Sequence, residues 1–122
     1  MKNLISIVEI PTTDLSRAIN FYQELLGVEI EKATMGETEM GVLPADNESV
    51  NVVLINGSDY KPAAEGTLIY LNAGHDLTPM LNKVEGNGGQ IVLPKTEISP
   101  GMGYFALFID CEGNKMGLHS LG

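Results

Sequence analysis

Cysteine occurs once in this chain, and lysine and arginine together number 7 against 16 aspartates and glutamates. Each shortage excludes a class of explanation. A lone thiol, Cys111, cannot form an internal disulfide, and Asp110-Cys111-Glu112-Gly113 reads as a turn between strands rather than as a reactive site. A net charge of -9 argues against binding a phosphate backbone or an anionic membrane surface, since either contact adds repulsion instead of releasing counterions. No nucleic acid and no membrane partner is therefore expected. No apolar run approaches the roughly 20 residues that span a bilayer, and no basic start precedes a short apolar segment. These features lead to the expectation of a soluble, cytoplasmic protein.

What is present is a pattern used twice. Asp14-Leu15 opens an apolar-periodic stretch that ends at Gly27, and Asp76-Leu77 opens another that ends at Gly89, an offset of 62 residues at both ends. A duplicated module follows. At 13.1 kDa and 43% apolar residues the chain is expected to be one domain, residues 1–122, whose halves share their burial. The first module spans about 1–57 and the second about 66–122. Gly57 to Gly66, polar and rich in small residues, is the exposed linker between them.

Within the first module, Leu4 to Ile10 reads as a strand apolar on both faces, with Glu9 its only charge. Pro11-Thr12-Thr13-Asp14 breaks it and offers Asp14 or Thr13 as a helix cap. Leu15, Ala18, Ile19, Tyr22, Leu25 and Leu26 recur at helical spacing, and Gly27 stops the helix in the left-handed conformation. Val28 to Thr34, Glu37 to Leu43 and Ser49 to Ile55 read as strands. The second module repeats the order: strand Thr67 to Asn72, helix Asp76 to Asn87, then strands near Gln90 to Lys95, Met102 to Ile109 and Asn114 to His119. Pro79 falls in the helix's first turn, where the missing amide hydrogen costs little. The expected fold is α+β, two βαβββ modules forming a cupped mixed sheet with the helices outside.

Several of these residues match a known family. Glu9-Ile10-Pro11, Asp14-Leu15, Ala18, Phe21-Tyr22 and Leu26-Gly27, with Lys95-Thr96-Glu97-Ile98, Pro100-Gly101-Met102-Gly103-Tyr104-Phe105-Ala106 and Asp110-Cys111-Glu112-Gly113-Asn114, resemble the vicinal oxygen chelate superfamily. That superfamily includes glyoxalase I, extradiol dioxygenases and bleomycin-resistance proteins, and the C-terminal motifs resemble an uncharacterised glyoxalase-like branch. The resemblance covers nearly the whole chain. Its motifs are helix caps, turns and packing positions, so they specify fold more than reaction.

In enzymes of that family, about four His, Glu or Gln side chains hold a divalent metal, one from the first and one from the last strand of each module. The resemblance carries these onto Ile5 or Ile7, Val53 or Ile55, Leu68, and Gly117, none of which coordinates. A one-residue slip exposes an equally poor set. A two-residue shift brings in Glu9, Tyr70 and His119, of which only two are ordinary ligands, short of the three or four donors a divalent ion needs. No metal ligand and no cofactor is expected.

Glu9 shares its strand face with Ile5 and Ile7, and a buried carboxylate there would serve as a general base or as an anchor for a ligand's amine or hydroxyl. At the strand's end it could equally bond a neighbouring loop. His119, on the same face as Gly117, could complete an acid/base pair with Glu9, or fray at the C-terminus. Tyr70 and Phe105 offer an apolar wall to a ligand, or core. Gly101 and Gly103 around Met102 read as a lip or as a plain turn. His75 reads as a solvated loop residue, and Glu29, Glu31, Glu37 and Glu39 as a solvated hairpin face. The leading expectation is a metal-independent small-molecule binding protein or non-metal enzyme, with Glu9, Tyr70, Phe105 and His119 at the ligand and Glu9 and His119 as catalytic candidates. The alternatives are a metal-dependent lyase or isomerase resembling lactoylglutathione lyase and a drug-sequestering resistance-type dimer. The resemblance also implies a homodimer.

Overall fold

The computed structural model of the chain describes residues 3–122. The first two residues of the expected first module lie outside that range. The chain forms two compact units, one ending at Pro62 and the other running Ala63–Gly122.

The first unit holds β1 (Ile7–Pro11), α1 (Leu15–Leu26), β2 (Glu31–Met35), β3 (Thr38–Val42) and β4 (Asn51–Asn56). Its sheet runs β1-β4-β3-β2, with β1 parallel to β4 and the other pairs antiparallel. The helix is set by its ends. Asp14 accepts the Arg17 amide at 3.1 Å, a cap worth about 1 kcal/mol. At the other end Gly27 adopts φ 66° and returns its amide to the Gln23 carbonyl. The apolar stripe between them is buried against β3 and β4, with Leu15, Ala18, Ile19, Phe21, Tyr22 and Leu25 all inaccessible. Facing them from the sheet is Leu54, fully buried in β4 beside its register partners Ile10 and Gly41.

The expected first strand is corrected in its bounds, since it runs Ile7–Pro11 with Pro11 paired to Ile55 instead of breaking it, and in its burial. Its alternation buries one face only: Ile10 is 2% exposed, whereas Ile7 on the opposite face is 62% exposed. The helix covers a single side of the sheet, and among the described residues of this unit none buries the other side of β1 at Ile7. Glu29, Glu31, Glu37 and Glu39 are all exposed, as a solvated hairpin requires.

The second unit holds β5 (Tyr70–Asn72), α2 (Thr78–Leu81), β6 (Gln90–Ser99), β7 (Gly103–Ile109) and β8 (Lys115–Ser120), with sheet order β5-β8-β7-β6. Here β5 is parallel to β8 and the other pairs are antiparallel. The order and directions repeat those of the first unit, so both sheets are mixed and the fold is α+β. Ala106 and Phe108 of β7 join Met116 and Leu118 of β8 and Leu77, Leu81 and Val84 of the helical segment in the buried set.

The second helix departs from expectation. Its four residues give way to a turn and then to a 3₁₀ segment at Glu85–Asn87, and the left-handed cap falls at Gly88, φ 99°, rather than at Gly89. Composition accounts for this. Asn82 and the run Gly86-Asn87-Gly88-Gly89 are weak helix formers, and bonds from Lys83 to Met80 and from Val84 to Leu81 tighten the chain. Asp76 still takes the Thr78 amide at 2.9 Å, and Pro79 occupies the first turn. The linker is not wholly loose either. The Ala63 amide donates to Asn114 Oδ1 at 3.2 Å, so its end belongs to the second unit. The turn at Cys111 is closed by Asp110, whose carboxylate accepts the Glu112 and Asn114 amides and the Asn114 side chain.

Candidate functional site

Side chains alternate across a strand, so the face of the second sheet opposite Ala106, Phe108 and Leu118 carries Phe105, Gly117, His119, Tyr70 and Asn72. Register arranges them in two rows. Asn72 pairs with His119 and His119 with Phe105; one step along, Tyr70 pairs with Gly117 and Gly117 with Leu107. A cavity of about 700 Å³ lies on this face, lined by Tyr70, Asn72, Ile98, Phe105 and His119. Its size falls within the range of small-molecule sites.

Gly117 shapes the floor. A Cβ built there would stand 2.5 Å from Cδ2 and 2.6 Å from Cε2 of Tyr70, so the tyrosine ring rests directly on the backbone of β8. The Tyr70 and Phe105 rings lie 6.2 Å apart, tilted by 59°. His119 is held by a contact of 3.1 Å between Nε2 and the Met102 carbonyl. A carbonyl only accepts, so Nε2 carries the proton, and in the neutral ring Nδ1 remains an acceptor. Gly103 permits this contact: a Cβ there would come within 3.0 Å of His119 Nε2 and press on the Ser120 carbonyl. The turn from Ser99 to Met102, closed by a 2.9 Å backbone bond, thus ties the cavity's rim to its one histidine. Asn72 Oδ1 accepts the Gly74 amide at 2.9 Å, which turns its NH₂ free of that bond.

Three of the residues singled out from sequence, Tyr70, Phe105 and His119, stand together at this cavity. Glu9 does not line it. It lies on β1 of the first unit and is exposed, not the buried carboxylate the both-faced reading of that strand would require. His75 is exposed in its loop. Two lining residues were missed. Asn72 is signalled by period two, since it follows Tyr70 on the same face; Ile98 was hidden because β6 continues four residues beyond its expected end at Lys95.

Glyoxalase/Bleomycin resistance protein/Dioxygenase superfamily is the family whose model matches, over residues 4–118. The chain belongs to this superfamily. A glyoxylase-like domain-containing protein of Didymella fabae is 27% identical over 113 residues, covering 90% of this chain and 88% of that protein. Among solved structures, a hypothetical protein of S. aureus superposes with TM-score 0.70 at 22% identity, covering 98% of each chain. A mutant glyoxalase I of Zea mays gives TM-score 0.69 at 21% identity, covering 94% of this chain and 45% of the maize chain. At these identities the solved structures share the fold.

The superfamily's divalent metal can be tested against the donors present. On β8 the expected ligand position is Gly117, and the space its side chain would occupy is filled by the Tyr70 ring. Among the described residues no three His, Cys, Asp or Glu side chains converge. The cavity offers one imidazole, whose Nε2 already bonds a carbonyl, together with an amide and a phenol. This is not a set that repays dehydration of a divalent ion, and the residues do not fit one.

Proposed function

We propose that this superfamily member binds a small, partly apolar molecule without a metal, on the open face of the β5-β8-β7-β6 sheet. The observation that carries this reading is the cavity itself. Aromatic and aliphatic walls from Tyr70, Phe105 and Ile98 stand beside the polar side chains of His119 and Asn72, the usual composition of a ligand pocket. Tyr70, Phe105, His119 and Asn72 are the residues assigned to the ligand. Glu9, an exposed carboxylate on β1 of the first unit, is retained separately as a candidate polar anchor and base, and Glu9→Gln belongs in the same binding screen.

The protein is proposed to act as a homodimer. Ile7, Met102 and Tyr70 leave apolar surface exposed at 62%, 60% and 46%, and burying such surface against a second copy is favourable.

Native mass spectrometry of untagged protein purified without chelators tests the reading in one spectrum. A metal-free dimer that retains a small organic mass is the expected result. One stoichiometric metal per subunit would overturn it in favour of a metal-dependent lyase or isomerase of the glyoxalase type.

A further inference from the structure

Resting on the binding reading above, we infer that the cavity selects a neutral, planar aromatic or heteroaromatic compound whose edge carries a carbonyl beside an N–H, as in a lactam or aryl carboxamide. Three observations combine to specify this.

The first is charge. No Asp, Glu, Lys or Arg lines the cavity, so a ligand carrying a full charge would lose its hydration without gaining a partner. The chain's overall acidity is therefore not what the site presents to its ligand.

The second is the placement of donor and acceptor. Asn72 and His119 are direct register partners on adjacent parallel strands. The Asn72 carbonyl oxygen is engaged by the Gly74 amide, which leaves its NH₂ as a donor. His119 Nε2 donates to the Met102 carbonyl, which leaves Nδ1 as an acceptor. Neighbouring side chains thus offer one donor and one acceptor. The complementary ligand edge is a carbonyl that accepts from Asn72 and an adjacent N–H that donates to His119. A carboxylate supplies no donor for Nδ1, and a plain ketone supplies only half of the pair.

The third is shape. Tyr70 packs directly over Gly117, and its ring centroid is 6.2 Å from that of Phe105. A third ring inserted between them would need two stacking distances of about 3.5 Å each, roughly 7 Å in all. The ligand ring therefore rests on these rings rather than between them, with Ile98 beside it. That geometry suits a flat molecule on an open cavity more than a long flexible one.

The test compares quinolin-2(1H)-one with its N-methyl derivative, which keeps the ring and the carbonyl and removes the donor, by calorimetric titration into the wild-type protein. The N–H compound is expected to bind about tenfold more tightly or better, because the methylated analogue leaves Nδ1 facing an apolar group. His119→Ala, checked for folding by melting temperature, is expected to bring that ratio towards one while weak ring binding survives; Asn72→Ala, whose partner carbonyl both compounds keep, is expected to weaken both about equally and to leave the ratio in place. Equal affinity for the two compounds in the wild type would overturn the assigned ligand class and leave the binding reading standing. No saturable binding of either compound, nor of other flat aromatics at millimolar concentration, would overturn both. A ratio that persists in His119→Ala, or an Asn72→Ala protein that binds both compounds as tightly as the wild type, would place the recognition elsewhere and overturn the assignment of these two groups.

Discussion

Gly41 in β3 and Gly117 in β8 are both glycines inside strands, and neither has the positive φ that demands glycine. Each is there for what approaches it, yet the approach comes from opposite sides of the sheet. A Cβ at Gly41 would stand 2.9 Å from Ile19 Cγ1 and 3.0 Å from Ile30 Cγ2, so this glycine lets α1 settle onto the core face of the first sheet. A Cβ at Gly117 would strike Tyr70, on the open face of the second. The first unit uses its close approach to seat a long, capped helix. The second has only a four-residue helix and uses its close approach to lay an aromatic floor. The clefts on the two sheets differ too: one in the first unit is lined mostly by polar groups such as Asn3, Ser6, Asn47 and Ser49, whereas the cavity on the open face of the second sheet is walled by the Tyr70 and Phe105 rings. On the binding reading proposed above, two units of the same strand order divide support and recognition between them.

The largest expected loss comes from the core side. Leu54→Ala removes a fully buried side chain beneath α1 and is expected to cost about 2–5 kcal/mol in urea unfolding. Gly41→Ala should cost about 1–3 kcal/mol by overpacking against Ile19 and Ile30, while leaving aromatic binding intact. An equal loss of binding in that variant would show that the division of labour is wrong.

Gly117→Ala sharpens the same contrast from the other side. Tyr70 is 46% exposed and can swing away, so the stability cost is expected below about 1 kcal/mol, but the floor of the cavity is lost and calorimetric binding should fall sharply. The smallest effect is electrostatic. The Thr78 backbone amide, then the Thr78 hydroxyl, then Lys95 at 3.0 Å, hold the Asp76 carboxyl at about 2 instead of its ordinary 3.8. Because the folded state binds this proton less readily than the unfolded chain, the contribution is complete above 3.8 and lost as pH falls towards 2. The melting-temperature gap between wild type and Asp76→Asn should therefore close across that interval, and a gap that stays constant would remove Asp76 from the account.

Much of the architecture was legible because it is encoded locally. Asp14, the helical spacing from Leu15 to Leu26, and Gly27 specify α1 without reference to the rest of the chain. The second helix departs from its opening signal because local signals conflict: the Asp76-Leu77 opening resembles that of α1, but the glycines and asparagines that follow cannot sustain a helix of the same length. Strand ends shifted for a related reason, since pairing partners decide where a ladder stops. The sequence had no way to show that β6 runs on past Lys95 to bring Ile98 to the cavity, because that extension is set by pairing with β7.

At the site, residue types were readable and relationships were not. That the positions matching the superfamily's metal ligands hold Ile, Val, Leu and Gly follows from the sequence alone, because ligand chemistry belongs to the side chain. So do the net charge, the repeated strand-helix order and the period-two face shared by Tyr70 and Asn72. Only the tertiary structure decided that the Tyr70 ring fills the space above Gly117, that His119 commits one nitrogen to the Met102 carbonyl, and that Glu9 is solvated. Each of these depends on the register of strands distant in sequence and on which face a helix covers, and those are properties of pairing and packing rather than of any local run of residues.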